Sequence, residues 1–161
     1  MIVLQCNDLY FKWLELLLES LVAQGVSGPL FISIYNGTVN MQQRCQAIYP
    51  GCIVELEADN QYELPLDQFS LRDCMTTRKI FVLADVVDRF DPDWVLMLDV
   101  DMLCRQPLMP WISQLIDQKT DVAVVRVEGS DAIRQFSSST VFVSRSAYHF
   151  IYQWEWFASK W

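Results

Sequence analysis

Apolar runs and helical patterns take turns along the whole chain. Residues 2–4 are a short unbroken apolar run, the mark of a buried strand. It gives way to Cys6-Asn7-Asp8, where the polar pair suits a turn and a helix cap. Leu14, Leu17, Leu18 and Leu21 then recur at i, i+3, i+4 and i+7, one stripe of a helix that Gly25 and Gly28-Pro29 bring to an end. Residues 30–35 predict a second strand, closed by the turn pair Asn36-Gly37. Residues 41–49 predict a short helix before Pro50-Gly51, and residues 52–56 a third strand. Residues 57–73 are polar and rich in Asp, Glu and Gln; they predict the longest loop, of a length that compact domains tend to reserve for function.

The alternation then resumes. Ile80, Leu83, Ala84 and Val87 mark a helical face within residues 76–87, and Asp91-Pro92-Asp93 breaks it. Residues 94–98 are the most hydrophobic strand and run straight into Asp99-Val100-Asp101. A Pro-flanked helix over 110–118, a strand over 121–127, a polar connection over 128–138, a strand over 140–143 and a terminal helix from residue 146 complete the pattern. Strands that are apolar throughout, separated by helices and never joined by tight hairpins, predict an α/β fold. Its sheet is Rossmann-like and mostly parallel, with helices on both faces. Such sheets bind ligands beyond the carboxyl ends of their strands. With no internal repeat and no linker, residues 1–161 are expected to form a single domain.

Composition narrows the function. Apolar residues make up 52% of the chain and charged residues 20%, which excludes a disordered or low-complexity polypeptide. The net charge is −8, with no basic stripe to offset it, so a nucleic-acid partner is not expected. A phosphorylated ligand would need a cation between itself and the carboxylates, because like charges 4 Å apart cost about 4 kcal/mol near a protein surface. Five cysteines without a CxxC pair support neither a structural zinc site nor a disulfide framework. The opening residues lack a basic leader, and no run of eighteen uncharged apolar residues exists. A soluble, cytoplasmic protein is the expectation.

Asp99 and Asp101 carry the sharpest chemical signal. Two residues apart on extended backbone, they project to one face, directly after a buried strand. Carboxylates held together there raise each other's pKa unless a hard divalent cation takes their oxygens. Mn2+ or Mg2+ does so and leaves coordination positions for phosphate oxygens.

The order of two motifs adds to this reading. Ile2 to Tyr10 followed by the Leu-rich helix resembles the opening of glycogenin and its relatives, glycosyltransferases of the A-type nucleotide-sugar fold, and residues 98–103 resemble that family's metal-binding Asp-x-Asp segment. The resemblance spans roughly residues 1–145 and implies the A-type fold, short at its C-terminal end, and a UDP-sugar donor. It also implies transfer to a glycan, protein or small-molecule acceptor hydroxyl with retention of configuration. Asn7, Asp8 and Tyr10 would hold the base and ribose, Asp99 and Asp101 the metal, and Arg78 or Lys79 the donor diphosphate. The family's Asn-x-Gly turn is replaced by Phe136-Ser137-Ser138-Ser139, so the sugar is unreadable, and its downstream His-x-x-Gly-x-x-Lys segment has no counterpart. The one histidine, His149, falls in the terminal helix pattern and is expected on its surface or in its packing. A third metal ligand is then absent, a water, or on a region outside these residues.

Three further expectations stand beside that one. Phe150, Trp154, Phe157 and Trp161 form an aromatic stripe suited to packing on the sheet or to a homodimer contact. A non-catalytic module on the same fold would explain the missing histidine segment. A nucleotidyltransferase would want a glycine-rich, basic loop after the first strand, which Asn7-Asp8-Leu9-Tyr10 is not.

Overall fold

Each apolar run becomes a strand: β1 (Ile2–Asn7), β2 (Leu30–Tyr35), β3 (Ile53–Glu57), β4 (Trp94–Leu98), β5 (Val122–Arg126) and β6 (Phe136–Ser144). The helices between them are α1 (Phe11–Ala23), α2 (Val39–Ile48), α3 (Leu71–Phe90), α4 (Leu108–Asp117) and α5 (Tyr148–Ala158). The computed structural model describes residues 1–57, 71–126 and 136–160, with only the backbone of 71–76, 125–126 and 136–138. The expected loop over 57–73 lies mostly outside these residues. At its ends the structure corrects the expectation: Glu57 belongs to β3, where Tyr35 pairs with it, and residues 71–73 belong to α3.

The strands form one sheet in the order β3-β2-β1-β4-β6-β5. β3, β2, β1 and β4 pair in parallel, while β6 runs antiparallel to both β4 and β5. The mostly parallel, Rossmann-like sheet is therefore as expected, with β6 as its reversed strand. β6 is also longer than its apolar run, because its serine-rich start pairs with β5 across a register shift at Val124/Val125.

Side-chain alternation splits the core into two layers. Ile2, Leu4 and Cys6 of β1, Leu30, Ile32 and Ile34 of β2, and Leu96 and Leu98 of β4 pack with α1, α2 and α4. Met1 and Val3, Phe31 of β2, and Val95 and Met97 of β4 pack with α3 and α5. Helices thus cover both faces, which is why these strands read as continuous apolar runs.

Local signals stop α1 where the sequence placed its end. Gly25 has φ +70°, its N–H donates to Val22 and the Val26 N–H donates to Leu21, the paired bonds of a Schellman cap. At Gly37 a Cβ would lie 2.8 Å from side-chain atoms of Ile34 and Leu56, so the Asn36-Gly37 turn needs glycine for close approach. Among the described residues, no helix is long and apolar enough to cross a membrane.

Candidate functional site

The face of the sheet that carries α3 changes character along its strands. In β1 buried Val3 is followed on that face by buried Gln5 and Asn7, and in β2 Phe31 is followed by Ser33 and Tyr35. The apolar layer therefore turns polar toward the carboxyl edge. β4 obeys the same rule: Met97 faces α3, Leu98 and Val100 belong to the other layer, and Asp99 returns to the α3 face.

That parity brings Lys79 of α3 onto Asp99. The Nζ ammonium donates to Asp99 Oδ1, with the two side chains only 15% and 24% exposed. The Asp99 backbone is also held, its N–H donating to the Ser139 carbonyl at 2.8 Å. Asp101 lies two residues on, exposed to solvent, while Val100 between them is buried. Among the described residues Asp101 makes no hydrogen bond or ion pair.

The β1 end stands beside this pair. Leu4 is abreast of Leu98, the last rung that the two strands share, so β1 and β4 both deliver their carboxyl ends to the same edge of the sheet. Asn7 is buried, and its Oδ1 accepts from the Tyr10 N–H at 3.2 Å. It caps the 3-10 turn Asp8–Tyr10, the role its position suggested. That cap turns Asp8, Leu9 and Tyr10 outward; Tyr10 is 48% exposed although the next residue, Phe11, is in the core.

Arg78, the other cation expected to face a donor, has partners of its own. Its Nη2 donates to Glu57 Oε2 at 2.8 Å, and the guanidinium sits 4.0 Å from the Tyr35 ring centroid. Glu57 also accepts from Ser33 Oγ. All four residues are buried, and together they pin α3 to the ends of β2 and β3, one residue before Lys79. Glu57, Ser33 and Tyr35 were not singled out from the sequence. The signal for Ser33 and Tyr35 was there as polar residues every second position in otherwise apolar strands.

The donor set suits a hard cation that shares its ligands. Magnesium and manganese are commonly bound through one or two carboxylates, with water and phosphate oxygens filling the remaining positions. Asp99 and Asp101 fit that role. Among the described residues no group of three or more His, Cys, Asp or Glu side chains could hold a metal, and His149 is exposed on α5. Cys6 lies under this edge, and burial, then Cys45 and Asp8, push its thiol up to about 12, so it stays protonated at neutral pH.

Two other features lie elsewhere. A groove of about 510 Å³ opens at the amino end of β4, lined by Asp93, Trp94, Lys119, Asp121, Ser144 and Ser146 among others. On α5, Phe150 and Trp154 are partly buried against the α3-side core, whereas Trp156 and Phe157 are more than half exposed. The first half of the aromatic stripe is thus packing; Trp161 lies outside the described residues.

No family model and no curated protein matches the sequence. Solved structures do match the fold. Galactosyltransferase LgtC, in complex with donor and acceptor sugar analogs, aligns over 99% of this chain and 65% of its own, with a TM-score of 0.65 and 16% identity. The glycosyltransferase GlyE of Streptococcus pneumoniae TIGR4 aligns over 94% of this chain and 36% of its own, with a TM-score of 0.59 and 16% identity. CMP:2-keto-3-deoxy-manno-octonic acid synthetase, complexed with CTP, aligns over 99% and 81%, with a TM-score of 0.53 and 12% identity. The chain thus spans about two thirds or less of the two glycosyltransferases. At these identities what is shared is the fold.

Proposed function

We propose that this chain is a metal-dependent glycosyltransferase domain that uses a nucleotide-diphosphate sugar, with UDP-sugars as the first class to test. The observation that carries this reading is the meeting, at one sheet edge, of the Asp99/Asp101 carboxylates, the Lys79 ammonium and the outward Asp8–Tyr10 turn. A nucleoside diphosphate has three parts that match: an aromatic base, a ribose with hydroxyls, and an anionic diphosphate. The half-exposed Tyr10 ring is a stacking platform for the base, and the Asp8 carboxylate is an acceptor for base N–H or ribose hydroxyl groups. Asp99 and Asp101 would hold Mn2+ or Mg2+. When bound, that ion supplies Lewis-acid stabilisation of the departing diphosphate.

The chain's own residues do the rest. Val100, buried in the core within the turn that follows β4, anchors the segment that carries Asp99 and the exposed Asp101. Lys79 brings a second positive charge to the edge where the leaving phosphate oxygen gains negative charge. In the transfer, the bond from the anomeric carbon to the phosphate oxygen breaks and a bond to an acceptor hydroxyl oxygen forms. The hydroxyl proton is released and the nucleoside diphosphate leaves. Arg78 is committed to Glu57, so its part is to hold α3 and aim Lys79. The identity of the sugar, and the retention of configuration implied by the resemblance to glycogenin's relatives, belong to this same proposal.

Calorimetric titration of UDP with and without Mn2+ tests it. Binding that requires the metal, with turnover or slow hydrolysis of a UDP-sugar, supports the enzyme. Metal-dependent binding with no turnover of any UDP-sugar supports a binding module on the same fold. Equal binding in Mn2+ and in a chelator overturns the site.

A further inference from the structure

Lys79 and a metal ion would compete for one carboxylate. The ammonium already sits on Asp99 Oδ1, in a position where both side chains are largely withdrawn from water. Attraction between unit charges strengthens as the surrounding dielectric falls, so this pair is held more firmly than an exposed one. A divalent cation arriving alone would meet both that ion pair and the positive charge of the displaced ammonium. A diphosphate arriving with the cation removes the obstacle, because its oxygens give the ammonium a new anionic partner.

We infer that Lys79 is an internal counterion that keeps Asp99 from holding a divalent cation until the donor diphosphate arrives, so that metal and nucleotide bind as a unit. The inference rests on the reading above and extends it to the order of binding. Lys79 has the fixed reach this needs. Its neighbour Arg78 is locked by Glu57, Ser33 and Tyr35, and Asp99 is held by the Ser139 carbonyl, so neither end of the pair drifts with a loop. Coupling of this kind is reciprocal: whatever factor the nucleotide adds to metal affinity, the metal adds to nucleotide affinity.

The test is titration of the full chain with Mn2+, followed by the electron paramagnetic resonance signal of free Mn2+, with and without UDP. The variants are Lys79→Met, which keeps the apolar stem and removes the charge, and Lys79→Arg, which keeps the charge. In the native chain Mn2+ alone should bind weakly, and UDP should tighten it. Lys79→Met should raise the affinity for Mn2+ alone about tenfold and shrink the gain from UDP by a similar factor, a tenfold change being about 1.4 kcal/mol. Lys79→Arg, which keeps the charge, should leave the affinity for Mn2+ alone as weak as in the native chain; a rise like that of Lys79→Met would overturn the counterion role. If Lys79→Met leaves affinity for Mn2+ alone unchanged or lower while the native chain binds Mn2+ with UDP, the counterion role is overturned and the glycosyltransferase reading stands. If the native chain binds no Mn2+ even with UDP, the glycosyltransferase reading itself fails, and this inference with it.

Discussion

The two ends of β4 carry similar residue types and end up in opposite electrostatic conditions. At the amino end, Asp121 accepts hydrogen bonds from Ser144 at 3.3 Å and Ser146 at 2.7 Å, Arg145 is paired with Asp91 and Asp93, and Trp94 stacks on Phe142 with ring centroids 6.2 Å apart. The groove there has volume, but its polar groups largely satisfy one another. At the carboxyl end, the carboxylates of Asp8 and Asp101 are exposed without hydrogen bonds or ion pairs among the described residues, and Asp99 leans on a single lysine. Volume and chemical readiness therefore separate in this molecule. Parallel strands leave their carboxyl ends at one edge, where the chain turns and can present carboxylates that the core does not consume.

The strongest way to break the contrast is to remove a charge from each end. Asp101→Asn should abolish Mn2+-dependent UDP binding in calorimetry, with thermal stability within about 0.5 kcal/mol of native because the side chain is exposed. Asp121→Asn at the amino end should leave that binding unchanged. If both variants lost binding, or neither did, the contrast between the two ends would fail.

Next in size is the support under the carboxyl edge. Glu57→Ala removes the buried carboxylate that the Arg78 guanidinium and the Ser33 hydroxyl both use, and urea unfolding should show a loss of about 3–5 kcal/mol. Asp121→Ala, which removes an acceptor on the surface, should cost only about 1 kcal/mol. Tyr10→Ala should weaken UDP binding by about 1–3 kcal/mol and leave the urea midpoint nearly unmoved, as fits an exposed ring.

The smallest effect compares two rungs of β3. Glu55, two residues before Glu57, meets Arg89 at the surface, with both side chains about 40% exposed. Hydrogen bonding to Arg89, opposed by some desolvation, lowers the Glu55 pKa in the folded state. Its stabilisation is thus present above the unfolded carboxylate value and is lost as pH falls through the lowered folded value. An exposed pair contributes about 0–1 kcal/mol. Glu55→Gln should slightly flatten the acid limb of a plot of urea midpoint against pH. A loss as large as that of Glu57→Ala would show that burial is not what separates the two rungs.

Much of this architecture was legible without coordinates, because burying a strand on both faces demands an unbroken apolar run and burying a helix on one face demands a stripe. Ile2–Asn7, the Leu14–Leu21 stripe and Trp94–Leu98 each state their burial in their own sequence. So does the Asn7 cap, since the side chain and the N–H it accepts from are three residues apart. Asp99 and Asp101 could be marked as a pair at a strand end for the same local reason. The reversed direction of β6 was not local information. Thr140–Val143 is equally apolar in either direction, and its pairing with β4 is decided by where the chain returns from β5.

The distribution of charge among partners also came only with the tertiary structure. Arg78 and Lys79 are adjacent and look interchangeable as letters. Yet successive residues of a helix point about 100° apart, so one meets Glu57 beneath Tyr35 and the other meets Asp99. Those partners lie 21 and 20 residues away in opposite directions along the chain. A sequence determines which residues must be buried and which local bonds can close. Which charge is neutralised, and which is left facing solvent at the edge of the sheet, depends on distances that exist only after folding.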